Sequence, residues 1–479
     1  MLTERYSTWR CGSHELSLVR PRIMGILNVT PDSFSDGGMN VDEQGSVDVA
    51  GAIKRGLQLL DDGADIIDVG GESTRPGHSP VDVAEEKRRV LEVVEGLASA
   101  GAIVSIDTRH AEVALEALEH GASIVNDVTG FTDPKMVAVV AESDCGVNIM
   151  HWKQSGQVSS RKSVQLYANH PARRNVPSAR RFTLPDEAPV MREVMGFLGD
   201  QARTLMRAGV AQSRICVDPG AGFDKETDED IIIQRNTRLL TSMGYHVMTA
   251  VSRKRFVGAV TSVAEARERD AGTIGVDLSA IINGARVVRV HNVAETFQAL
   301  CSFWATNRAD SRLAYVAMGS NMGNEMEMLT EAARRMDKLP LTCVTAVSNA
   351  YETAPALGIE DPVVNAVAEI HTELHPLVLL DKLLEIESDM GRTRDPETLG
   401  HGPRTIDLDL CWYEEEEHQG RKLRLPHPGL GERDFVLVPM EDLMPDPVRF
   451  LSHSGVHVLE VEDRIGQVVA DLGPIVWEA

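Results

Sequence analysis

The stretch "DIIDVGGEST" (65–74) is a short β-branched apolar run that ends in glycines and polar side chains. An Ala/Leu/Glu-rich segment of helical period follows it. The same unit recurs from Pro21 to about Thr306. Its strand ends read "IMGILNVT", "DIIDVGGEST", "AIVSIDT", "SIVNDV", "GVNIMHW", "RICVDPGAGF", "YHVMTAVSRK" and "RVVRVHNV". Eight strand–helix units in under about 300 residues predict a (β/α)8 TIM barrel over residues 1–306. In that fold the C-terminal strand ends meet at one mouth. The residues expected there are Asn28, Thr74, Arg75, Asp107, Asn126, Asp218, Ser252, Lys254, Arg289 and His291. A single polar residue at a strand end is a turn former; an ordered ring of them reads as a site.

The rhythm changes in residues 312–479. Strand and helix patterns alternate as βαββαβ, the order of a ferredoxin-like α+β sandwich, with further strands or helices after it. The segment "CSFWATNRADSR" (301–312) reads as a short junction, and the basic insertion 152–189 as a solvated surface loop. In "RTIDLDLCW" (404–412), Ile406, Leu408 and Leu410 alternate with Asp407 and Asp409, so a strand puts both carboxylates on one face. Two charges about 7 Å apart on one face need a cation between them.

Composition narrows the function. The chain has 479 residues, 43% hydrophobic and 25% charged, with a formal net charge of −24. That balance argues against nucleic acid and against an anionic membrane as partners. Six cysteines without CxxC spacing fit reduced thiols. The N-terminal stretch shows no apolar signal core, and no run is long enough to span a membrane, so a cytoplasmic protein is expected. There is no Gly-Lys pair for a Walker A loop and no GxGxxG, so any nucleotide is held by another device.

"NVTPDSFSDGG", "GGESTRPG", "DPGAGF", "SRK" and "RVHN" together make the first half resemble the dihydropteroate synthases. The resemblance implies displacement of diphosphate from 6-hydroxymethyl-7,8-dihydropterin pyrophosphate by para-aminobenzoate. It also implies that Asp107, Asn126, Asp218 and Lys254 hold the pterin, while Asn28, Arg289 and His291 hold the diphosphate, with Mg2+ at Asn28. Phe34, Thr74, Arg75 and Ser252 would enclose the aminobenzoate. The family usually has Asp at the position of Asn292 and Gly at that of Ala250. A pterin-binding methyltransferase barrel is the rival for this half.

"AMGSNMGN", "YETAPALG", "MGRTR", "GPRTIDLDL" and "LPHPGLGERDFVL" make the second half resemble the hydroxymethyl-dihydropterin pyrophosphokinases. The implied reaction moves the β,γ-diphosphate of ATP onto the pterin. Asp407 and Asp409 would bind Mg2+, and Arg392, Arg394 and Arg404 would offset charge. Glu387, His427 and Arg433 would join the arginines at the ATP. Thr353, Leu357, Asn365 and Phe435 would hold the pterin. Val363 stands where an aromatic is usual, and His401 where a Trp is. The kinase product is the synthase substrate, so one bifunctional folate-pathway enzyme is expected, and the resemblance to the synthases implies a homodimer through the barrel. The alternative is a working kinase fused to a non-catalytic pterin-binding barrel.

Overall fold

The structure is a computed structural model that describes residues 8–30, 48–72, 81–152, 189–307, 311–356, 361–392, 404–420 and 422–477. The chain divides into two units, Met1–Leu300 and Cys301–Ala479. The division falls inside one helix, Val293–Asn307, so much of the expected junction is helical.

The first unit opens with a hairpin, β1 (Thr8–Cys11) against β2 (His14–Ser17). Eight parallel strands then close a barrel. They are β3 (Arg22–Asn28), β4 (Ile66–Gly70), β5 (Val104–Asp107), β6 (Ile124–Asp127), β7 (Gly146–Met150), β8 (Ile215–Asp218), β9 (His246–Thr249) and β10 (Val287–Val290). β10 returns to β3 with Val287 opposite Arg22, which completes the predicted (β/α)8 circle. Helices form outside because their sequences supply an apolar stripe and a cap. Asp82, for example, accepts the Glu85 N–H at 3.0 Å before the helix Val83–Ser99.

The barrel interior is layered by the period of two along each strand. Its lowest layer is apolar: Met24, Ile66, Ile124, Cys216, Met248 and Val287 form one cluster with Trp9, Cys11, Leu16 and Leu18 of the hairpin segment. The hairpin therefore plugs the N-terminal end. Burying Trp9 completely contributes on the order of 2–3 kcal/mol, and its indole N–H donates to the Arg214 carbonyl at 2.9 Å. Two residues further along β4, β6, β8 and β10 the inward positions turn polar, at Asp68, Asn126, Asp218 and Arg289, and Asn148 of β7 joins them through Asn126. A carboxylate outside the barrel, Asp65, fastens hairpin to barrel. It accepts from Arg20 at 2.8 Å, from Arg22 at 2.9 Å and from the Ile23 N–H at 2.8 Å, while Arg22 Nε donates to the Ser17 carbonyl at 2.6 Å.

The second unit is built on a six-stranded sheet. β11 (Arg312–Ser320), β12 (Thr342–Val347), β13 (Asn349–Thr353), β14 (Val363–Thr372) and β15 (Asp407–Tyr413) supply the four strands of the predicted ferredoxin-like order, the second being broken at Ser348 into β12 and β13, both paired with β14. β16 (His418–Gln419) and β17 (Arg424–Leu425) form a small ribbon, and β18 (Val468–Pro474) adds an edge beside β13. β11 lies between β14 and β15, both antiparallel. Leu408 and Leu410 pack with Leu329 and Met336 of the helix Glu325–Asp337 and with Leu379 and Leu383 of the helix Pro376–Asp389. On the opposite face Cys411 and Trp412 pack with Val436, Leu437 and Leu451 of the helices Asp434–Glu441 and Pro447–His453. The extra C-terminal segments thus cover the sheet's second face, the face that carries Asp407 and Asp409.

Candidate active sites

The polar layer of the barrel is a buried charge network. Arg289 donates from Nε to Asp68 Oδ2 at 2.6 Å and from Nη2 to Asp107 Oδ2 at 2.7 Å. Asn126 Nδ2 donates to the same Asp68 oxygen at 3.2 Å, and Asn148 Nδ2 to Asn126 Oδ1 at 2.8 Å. Two carboxylates therefore share one guanidinium in a site closed from below. Burial, opposed by Arg289 and reinforced by the Asp68 charge, pushes the Asp107 carboxyl up to about 7. Burial raises Asp218 as well, against the Gly220 N–H that its Oδ1 accepts at 2.8 Å and the charge of Lys254. Gly70, on β4 beside Asp107, leaves this wall open: an added Cβ would lie 3.8 Å from both Asn28 Oδ1 and Asp107 Oδ2.

Above this layer the loop after β8 bends back. Gly220 adopts φ +66°, and any side chain there would place its Cβ 2.0 Å from the His151 carbonyl oxygen. Lys225 stitches the turn, its ammonium donating to Gly220 O at 2.7 Å, His151 O at 3.1 Å and Phe223 O at 3.2 Å. The Lys254 ammonium donates to Ala221 O at 2.6 Å and stands 4.1 Å from the Phe223 ring centroid. Burial lowers Lys254 to about 8, although Asp218 opposes the change. Ser252 and His291 meet at the rim, Oγ to Nδ1 2.8 Å, and Ser252 Oγ also accepts the His291 N–H at 3.1 Å. Ala250 lies lower, within the apolar interior.

Beside β4 and β5, Glu72, Glu86 and His110 bring ligand-type atoms within 4.8 Å of one another. Arg109 occupies both Glu72 oxygens, at 2.7 and 2.9 Å, so a cation is already supplied there.

In the second unit Asp407 and Asp409 do project from one face of β15, opposite Gly319 and Ala317 of β11. The positive groups at hand are arginines. Arg392 pairs with Asp407 and with Glu387, Arg404 Nη1 lies 2.9 Å from Asp407, and Arg433 Nη1 lies 3.7 Å from Asp409. Glu387 is buried, and its Oε1 accepts the Leu408 N–H at 2.8 Å and Arg392 Nη1 at 2.6 Å. It therefore holds Arg392 against the aspartate strand. Partial burial, then the Asp407 charge, pushes Asp409 up to about 6 despite Arg433 and Arg404. Burial and the Arg433 charge lower His427 to about 4, so its ring is neutral near pH 7. Its Nδ1 accepts the Gly429 N–H at 3.1 Å, which leaves the proton on Nε2 as a donor.

The pterin-site residues of this unit also meet. Asn365 Nδ2 donates to Thr353 Oγ1 at 2.7 Å, and Thr353 Oγ1 to the Val363 carbonyl at 3.1 Å. Gly319 keeps the space above them free, for a Cβ there would stand 2.9 Å from Asn365 Oδ1. Phe435 carries the Arg433 guanidinium 5.6 Å from its ring centroid. Val363 is a buried side chain on β14. Phe34, Thr74, Arg75, Leu357, Arg394 and His401, with most of the basic insertion, lie outside the described residues.

Comparison with known proteins settles the family. Residues 24–291 match the family described as pterin binding enzyme, and residues 315–445 match 7,8-dihydro-6-hydroxymethylpterin-pyrophosphokinase. The chain belongs to the pterin-binding enzymes. It joins a barrel of the dihydropteroate synthase type to a pyrophosphokinase domain. Dihydropteroate synthase of Neisseria meningitidis serogroup C is 36% identical over 317 residues, 66% of this chain and 98% of that protein. The folate synthesis bifunctional protein of Arabidopsis thaliana is 37% identical over 302 residues, 60% of this chain and 57% of that one. Among solved structures, Xanthomonas albilineans dihydropteroate synthase with 4-aminobenzoic acid aligns at 34% identity and a TM-score of 0.53. That alignment covers 63% of this chain and 99% of the other.

This pterin-binding enzyme also uses residues that motif reading passed over. Asp68 and Asn148 join the barrel's polar layer, and Lys225 and Phe223 shape its rim. The signal for the first two was present: each is a polar residue inside an apolar strand, at even spacing from inward neighbours.

Proposed function

We infer that the chain is a bifunctional folate-biosynthesis enzyme. The kinase unit transfers the β,γ-diphosphate of ATP to 6-hydroxymethyl-7,8-dihydropterin, and the barrel condenses the product with para-aminobenzoate to 7,8-dihydropteroate. The observation that carries this reading is the pairing of two unlike charged sites in one chain. One is a buried carboxylate–amide–arginine layer suited to a flat amino-heterocycle, the other an aspartate pair ringed by arginines suited to polyphosphate.

In the kinase step the pterin hydroxymethyl oxygen bonds to the β-phosphorus as the α–β bridge breaks and AMP departs. Arg392, Arg404 and Arg433 balance the charge of the moving group, and the neutral His427 donates one hydrogen bond to it. Arg394 belongs to the same set. Thr353, Asn365, Leu357 and Phe435 orient the pterin. For Mg2+, Asp407 and Asp409 offer hard oxygens on one face; the Asp409 side chain is 43% exposed, whereas Arg392 and Arg404 pair with the two Asp407 oxygens and the ion would have to displace one of them. Asp407 and Asp409 would hold the ion, which would offset the charge of the phosphates.

In the synthase step the methylene–oxygen bond breaks, diphosphate leaves with the electron pair, and the aminobenzoate nitrogen bonds to carbon and then loses a proton. Asp107, Asn126 and Asp218 hold the pterin ring. Lys254, which also meets the pterin, Arg289 and His291 stabilise the leaving charge, Asn28 would offer its side-chain oxygen to Mg2+, and Ser252, Phe34, Thr74 and Arg75 enclose the aminobenzoate. A buried layer excludes water from the cationic intermediate. No helix among the described residues is long and apolar enough to cross a membrane, and free thiols at Cys11, Cys145, Cys216, Cys301, Cys343 and Cys411 suit the cytoplasm. A homodimer through the barrel completes the reading.

The test separates the halves. Asp407→Ala should lower kinase turnover by at least about a hundredfold, while dihydropteroate formation from added pterin pyrophosphate stays at the wild-type rate. A kinase that works with no dihydropteroate formed from any source would instead leave the barrel as a binding module.

A further inference from the structure

Arg253 stands between two residues assigned to the synthase site, Ser252 and Lys254, and its backbone is strained. Its φ is +59°, in the left-handed region that long side chains rarely occupy. Such a conformation persists only where its surroundings over-determine it. Here each polar part of the residue is held. Its N–H donates to Thr273 Oγ1 at 3.0 Å, and its carbonyl accepts Arg269 Nη1 at 3.0 Å. Its guanidinium grips both oxygens of Asp270, Nε to Oδ1 at 2.7 Å and Nη2 to Oδ2 at 2.8 Å.

Asp270 is in turn held from the last barrel strand. Asn292 Nδ2 donates to Asp270 Oδ2 at 3.0 Å, and Asn292 Oδ1 accepts the Glu295 N–H at 3.3 Å. Asn292 directly follows His291, whose ring and backbone both meet Ser252. A closed circuit results: Ser252 to Arg253 along the chain, Arg253 to Asp270, Asp270 to Asn292, Asn292 to His291, and His291 back to Ser252. Two of these links span different loops of the mouth. Although burial alone would raise the Asp270 carboxyl, the Arg253 and Asn292 hydrogen bonds and the Arg253 charge hold it below its ordinary value, so it stays anionic. The amide at 292 matters because it offers a donor to Asp270 and an acceptor to Glu295. A carboxylate there would keep the second bond, lose the first and set two negative charges side by side.

We propose that Asp270 and Asn292 are positioning residues of the synthase site, a matched carboxylate–amide pair that fixes Arg253 in its strained turn and thereby sets Ser252, Lys254 and His291 in one geometry. Neither side chain needs to touch substrate. This inference rests on the synthase reading above.

The test is a double-mutant cycle on the full chain, assayed with pterin pyrophosphate and para-aminobenzoate. Asn292→Asp should lower kcat/KM about tenfold or more, mainly through kcat, with thermal unfolding of the barrel moved by only a few degrees. Asp270→Asn should do the same by releasing Arg253. The exchanged pair, D270N with N292D, removes the like-charge contact of N292D but still leaves Arg253 without its carboxylate at 270, so it should be no more impaired than D270N alone. Loss of thermal stability with kcat and KM unchanged in the single variants would overturn the proposal, as would a double variant as impaired as the product of the singles. A wild-type chain that forms no dihydropteroate would overturn the synthase reading and this inference together, whereas an active wild type with unaffected variants overturns the inference alone.

Discussion

Asp107 and Lys254 titrate within a narrow window of each other, and both face the barrel's reacting end. Asp107 is pushed up to about 7 by burial, with Asp68 competing for Arg289, while burial brings Lys254 down to about 8. The carboxylate is charged above its value and the ammonium below its own. kcat/KM for dihydropteroate formation should therefore rise through about pH 7, fall above about pH 8 and peak between them. A pH series with saturating aminobenzoate checks this, and a flat profile from about 6 to 9 refutes it. Legibility at this scale followed chemistry rather than contacts. The strand-end residues Asp107, Asn126, Asp218 and Arg289 could be listed because they end apolar runs. Their mutual pairing could not, because Arg289 and its partner Asp68 lie 221 positions apart. Arg289, expected to face phosphate, also bridges two carboxylates, so a diphosphate would share it with Asp68 and Asp107. The aspartate pair on β15 was fully readable, since a period of two leaves no other face for Asp407 and Asp409.

At the scale of elements, the repeated strand–helix unit made the barrel plain, but the hairpin below it was not. "TWRCGSHELS" (8–17) mixes Arg10 and Glu15 with its apolar residues, and what makes it a plug is the barrel interior it meets. Asp65 is the fastening. Its carboxyl lies below the ordinary range, because Arg20, Arg22 and the Ile23 N–H outweigh its burial. Asp65→Asn leaves the buried Arg22, with 1% of its side chain exposed, short of its counter-charge. We expect a loss of about 3–5 kcal/mol from the barrel's unfolding transition in urea. The C-terminal helices were likewise visible only as extra segments. That they close the second face of the sheet depends on Trp412 and Cys411 packing under them, which strand alternation alone does not reveal.

At the scale of the molecule, two sites in one chain act in series, which makes complementation a direct test. Full-length Asp407→Ala mixed with full-length Arg289→Ala should convert ATP, hydroxymethyl-dihydropterin and aminobenzoate to dihydropteroate, though each variant alone makes at most a few per cent of that product. Failure of the mixture, when both variants keep their undamaged half-reaction, would mean that the intermediate never reaches solvent. The hairpin beneath the barrel carries one more implication. With its lower end stoppered by Trp9, Leu16 and Leu18, the synthase chamber is a cul-de-sac. A ring system held against the polar layer would then enter first and depart last, an order that product-inhibition kinetics checks.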